Sequence, residues 1–110
     1  MLTEKDYCDY DTCVALEELG FFIRRITVKG KEKHVPILLY EAQKWLREEK
    51  KLHITIFSQS QESWQYRITK PHQILENGLH GEDFSSFEEA LSEGIKEAVK
   101  ILKENETIHE

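Results

Sequence analysis

Two cysteines, two prolines, five glycines and one methionine are all that 110 residues contain of those types. Each shortage closes a class of explanation. Cys8 and Cys13 are too few for a disulfide scaffold, so a reduced, cytoplasmic protein is expected. The five glycines are isolated, and no glycine-rich loop exists to cradle a phosphate. The longest apolar run, from Val35 to Tyr40, falls far short of the roughly 20 residues that span a bilayer. The opening Met1-Leu2-Thr3-Glu4-Lys5-Asp6 lacks the basic-then-apolar order of a signal peptide. Neither a membrane nor an export route is expected.

Charge is plentiful but uneven. The formal net charge is −6. Residues 1–23 carry one base against six acids, residues 24–51 nine bases against four acids, and residues 52–110 five bases against eleven acids. This acidic–basic–acidic order suits oppositely charged segments lying side by side. It also suits a basic face for an acidic partner, because the local sign opposes the global one.

Hydrophobic periodicity supplies the elements. A first helix is expected over Tyr10 to Leu19, capped by Asp9 and closed by Gly20. Phe21 to Val28 reads as a strand, Lys29-Gly30-Lys31 as a turn, and His34 to Ile37 as a short return. A second helix over Leu39 to Glu49 buries Leu38, Leu39, Ala42, Trp45 and Leu46 and turns Glu41, Lys44, Arg47 and Glu48 to water. Leu52–Phe57 and Trp64–Lys70 alternate cleanly and form a hairpin across the polar loop Ser58–Ser63. Residues 71–83, with Pro71, Asn77-Gly78 and Gly81, read as an irregular connection. A third helix starts near Ser86, which makes a capping box with Glu89. Its small residues Ala90, Gly94 and Ala98 form a row that lets it lie close to the hairpin. The result is a single α+β domain over 1–110, ordered α-β-(β)-α-β-β-α, with a small, mainly antiparallel sheet packed by helices. Residues 1–8 and 105–110 are expected to fray.

Several segments carry a resemblance. They are Leu39-Tyr40-Glu41-Ala42-Gln43-Lys44-Trp45-Leu46-Arg47-Glu48 running into Leu52-His53-Ile54-Thr55-Ile56, and Ser86-Phe87-Glu88-Glu89-Ala90-Leu91 continuing through Gly94-Ile95-Lys96-Glu97-Ala98. With Tyr7-Cys8 and Glu18-Leu19-Gly20-Phe21, this pattern resembles a group of small uncharacterised proteins from gut bacteroidete bacteria and their phages and mobile elements. The resemblance implies the same element order and a bacterial cytosolic setting. That group has no assigned activity, so it implies no functional residue.

Candidates for chemistry are few. Cys8 lies among Asp6, Asp9 and Asp11, whose charges should raise its thiol pKa, the wrong direction for a nucleophile. No histidine pair sits at i, i+4 on an expected helix, and the carboxylate pairs Glu48-Glu49 and Glu88-Glu89 read as solvated charge. His53, beside Thr55 and opposite Arg67, is the histidine of most interest. No catalytic residue, metal ligand or cofactor is assigned, and an enzyme ranks third among the readings. A weak nucleic-acid binder using the basic segment 24–51 ranks second, because a net charge of −6 weakens the counterion-release term. An interaction module ranks first, taking an unidentified protein partner or forming a weak homodimer. Tyr40, Phe57, Trp64 and Val99 find no obvious place in one core. The expected surface comprises Tyr40, Phe57, Arg24, Arg25, Lys44 and Arg47. The uncharged strand Leu52–Phe57 is the edge expected to pair with its own copy.

Overall fold

Asp9 begins the first helix as its chemistry requires: its carboxylate accepts from the Thr12 amide at 2.8 Å. Helix α1 spans Tyr10–Glu18. It ends in a Schellman motif, with the Phe21 amide donating to the Leu16 carbonyl at 2.9 Å and Gly20 to Glu17 at 3.0 Å. Gly20 has φ +112°, a conformation that glycine adopts without penalty. The computed structural model describes residues 3–60, 63–71, 73–77 and 83–108. Ahead of α1, a 3-10 turn at Glu4–Asp6 and the Cys8 amide, which donates to Ile37 at 2.7 Å, fix the chain.

Strand β1 covers Arg25–Val28 and pairs antiparallel with β2, Lys31–His34. Both are shorter than, or displaced from, the expected strands. Phe21 to Arg24 are irregular because the helix-closing motif and the burial of Ile23 hold them, and the return begins at Lys31 rather than His34. A two-residue loop explains the shift. Lys29 and Gly30 both have positive φ, 52° and 77°, the type I′ geometry whose twist matches the flanking strands.

Helix α2 occupies Leu39–Glu49, as expected, with Leu38 at its start and no side-chain cap. Strands β3, His53–Ser60, and β4, Ser63–Lys70, form the expected hairpin with Ile54 opposite Ile68 and Ile56 opposite Tyr66. The strands run further than expected and leave only residues 61–62 between them, outside the described residues. The connection after β4 is also partly a strand: β5, Gln73–Asn77, pairs with β4. A register shift between Ile68 and Thr69 hides it from period-2 reading, and Ile74-Leu75 do not alternate. The rest of that connection, residues 78–82, lies outside the described residues. The sheet order β3-β4-β5 makes β4 the central strand, not an edge. The protein is thus an α+β domain with a two-stranded and a three-stranded antiparallel sheet.

Helix α3, Phe87–Ile108, crosses the inner face of β3 and β4. The Ser86 hydroxyl accepts from the Glu89 amide at 3.1 Å, but Glu89 answers Ser85 rather than Ser86, so half of the capping box forms. The core joins Cys13 and Leu16 of α1 and Leu39, Ala42 and Leu46 of α2 with Ile54, Ile68, Leu91, Ile95 and Ala98. Each fully buried Leu or Ile there contributes about 1.5–3 kcal/mol. Val99, expected to be left over, is buried in this core. Trp64 is half-buried, edge-on to Phe87 with ring centroids 5.9 Å apart. No helix among the described residues is long and apolar enough to cross a membrane.

Candidate interaction face

The β1–β2 hairpin is exposed along its length among the described residues. All four β1 residues are exposed, with Ile26 at 51 % and Val28 at 40 %. The register pairs Ile26 with Lys33 and Val28 with Lys31, and paired residues of an antiparallel ladder share a face. One face therefore presents two branched apolar side chains flanked by two lysines. The other carries Arg25, Thr27 and Glu32 and is tied down. The Arg25 guanidinium meets Glu17 of α1 at 2.7 Å and Glu32 at 3.2 Å. At the hairpin's root Phe22 is 83 % exposed.

The six expected surface residues lie on three parts of the fold. Tyr40, 59 % exposed, begins a solvent-facing line along α2 that continues through Lys44 and Arg47 at helical spacing. Arg24 and Arg25 lie at the root of the hairpin, and Arg25 is neutralised by two carboxylates. Phe57 belongs elsewhere: it alternates with Ile54 and Ile56, so it occupies the sheet face away from α3, where the Arg67 guanidinium sits 5.5 Å from its ring centroid. Two other bases of the central segment are also engaged, Lys50 over the Trp45 ring at 5.5 Å and Lys51 donating to the Glu48 carbonyl at 2.9 Å. Lys31 and Lys33 belong to the expected basic segment 24–51; the residues that sequence reasoning missed are Ile26 and Val28. Their signal was the β-branched alternation leading into Lys29-Gly30, obscured by starting the strand four residues early.

The sheet edge expected to self-pair is outermost, as β3. It is partly covered from within: Gln43 of α2 donates its Nε2 to the Ile54 carbonyl at 2.8 Å. That bond occupies an acceptor an incoming strand would need.

On the neighbouring surface a groove of about 540 Å³ opens between the 3-10 turn and the start of α3. Tyr7, Cys8 and Pro36 line it, with Glu4, Asp9, Glu88, Glu89 and Glu93 and one base, Lys5, around them. Lys96 neutralises two of those acids, meeting Asp9 at 3.2 Å and Glu93 at 3.3 Å. Glu4 and Glu88 have no ion-pair partner among the described residues. Cys8 is a buried free thiol. Burial chiefly, then the charges of Cys13, Asp9 and Glu41, push its thiol up to about 12. The neighbouring acids expected to dominate are secondary to burial. No group of three or more His, Cys, Asp or Glu that could hold a metal ion occurs among the described residues. No family model, curated protein or solved structure matches the chain.

Proposed function

We propose that this chain is a small, non-catalytic cytosolic binding protein, an accessory factor of a phage or mobile element, that acts by docking its β1–β2 hairpin on an acidic protein surface. One observation carries the reading: Ile26, Val28, Lys31 and Lys33 share an exposed hairpin face, while the opposite face is anchored to α1 through Arg25 and Glu17. Covering two branched apolar side chains supplies affinity, up to about 1.5–3 kcal/mol for each fully buried. Flanking lysines supply steering and register toward carboxylates. Arg25, Lys50 and Lys51 are already engaged within the chain, which favours this reading over nucleic acid, where free cations drive binding.

A photo-crosslinking residue at position 26 tests it in bacterial cells carrying the protein. The expected result is one discrete protein adduct at position 26 and none at position 47. Adducts with nucleic acid, or equal labelling at both positions, would overturn the reading.

A further inference from the structure

The hairpin face and the groove described above are complementary in two respects at once. The hairpin presents Ile26 and Val28 beside Lys33 and Lys31, and the groove, acidic apart from Lys5, presents Tyr7 and Pro36 beside Glu4 and Glu88, acids without ion-pair partners among the described residues. We propose that the hairpin's partner is a second copy of this chain, seated in that groove, an assignment that rests on the docking role of the hairpin.

Placement within the fold favours a reciprocal contact. Pro36 lies two residues beyond the end of β2 and lines the groove, so hairpin root and groove share a boundary. A two-fold axis near Pro36 carries each hairpin across to the other copy's groove, and the contact closes as a dimer instead of propagating as a filament. Arg25 and Glu17 tie the hairpin's other face to α1, which leaves the face of Ile26 and Val28 turned outward. The net charge of −6 on each copy opposes approach, so the association is weak and depends on the local match of opposite charges.

Charge reversal tests the pairing through sedimentation mass against concentration. The wild type should pass from monomer to dimer as concentration rises. Lys31→Glu with Lys33→Glu places like charges at both contacts, and so does Glu4→Lys with Glu88→Lys; each double variant alone should dimerise at least tenfold more weakly. Mixed together, the two variants should form a one-to-one heterodimer, since every hairpin then meets a groove of opposite sign. The recovered heterodimer also shows that both variants are folded. A wild type that stays monomeric at every concentration overturns the inference and leaves the hairpin's docking role to the crosslinking result. A dimer that ignores the reversals, or a mixture that does not recover, overturns the hairpin–groove pairing.

Discussion

Gly94 lies so close to Ile54 that a Cβ on the glycine would meet Ile54 Cγ2 at 2.9 Å and Tyr66 Cγ at 3.2 Å. This is where α3 rests on the sheet, and the absent side chain sets the distance between the layers. Ile54 is β-branched and stiff about χ1, and the Tyr66 contacts are at the base of its side chain, so neither can swing aside.

Gly94→Ala therefore pits two effects against each other. Alanine favours a helix interior over glycine by about 1 kcal/mol. Overpacking costs about 1–3 kcal/mol, and the stiffness of the neighbours places this site in the upper part of that range. A net loss of about 1 kcal/mol is expected, with a larger one for Gly94→Leu. Thermal unfolding should show Tm falling by about 4–8 °C for the alanine variant. An unchanged or raised Tm would mean that α3 can shift on the sheet.

Much of this was legible in the sequence, and the reasons separate by element. The row Ala90, Gly94, Ala98 and the alternation of Ile54, Ile56, Tyr66 and Ile68 encode the α3–sheet contact directly, because one period belongs to a helix and the other to strands. Asp9 and Gly20 encode both ends of α1 through local chemistry. Strand β5 was not legible, since a register shift beside Thr69 and two adjacent apolar residues erase the period. The hairpin face was partly legible: the turn was evident, but its register depends on Lys29 accepting a left-handed conformation that a lysine seldom adopts. The groove was not legible, because it joins Glu4 and Tyr7 to Glu88 across most of the chain.

Asp9 links the start of α1 to α3, and its titration should be visible in stability. Partial burial pulls its pKa up, but bonds from Thr12 and the Lys96 ammonium outweigh this and hold the carboxyl below its ordinary value. A lowered folded pKa means that the anion is favoured in the fold. Its contribution is present above the unfolded value near 4 and fades as pH falls through the lower folded value. Asp9→Ala should cost about 1 kcal/mol at neutral pH through loss of the cap. Asp9→Asn keeps a capping oxygen and should lose less, while removing this residue's share of the acid dependence. Denaturant melts at several pH values check it; an Asn variant with the wild-type acid profile would show that Asp9 contributes nothing to it.

Cys8 gives the opposite sign at high pH. Its thiol is pushed up to about 12, so the folded chain holds a proton that the unfolded chain releases at about 9. Stability from this group is complete below about 9 and declines as pH rises toward 12, with a limiting slope near 1.4 kcal/mol per pH unit. Cys8→Ala should flatten that decline. Native protein should also react with a thiol reagent at pH 8 far more slowly than protein unfolded in guanidinium. Rapid labelling of Cys8 in the folded state would contradict both expectations.

Lys29 holds φ 52° in the two-residue turn, a conformation that asparagine tolerates better than lysine. A two-stranded hairpin is marginal in water, so this one depends on its turn and on the Arg25–Glu17 ion pair. Lys29→Asn should firm the hairpin without touching the core. Global stability is expected to move by less than about 0.5 kcal/mol, as for most surface changes. Amide exchange of the β1 and β2 cross-strand bonds should slow severalfold, because those amides open locally rather than with the whole domain. Gly30→Ala, at φ 77°, should do the reverse and speed the same amides. A better-formed hairpin also presents Ile26, Val28, Lys31 and Lys33 with less ordering left to do on binding, so any hairpin-mediated contact should tighten with Lys29→Asn and loosen with Gly30→Ala. Slower exchange with no change in association would separate the hairpin's order from its function and count against docking through this face.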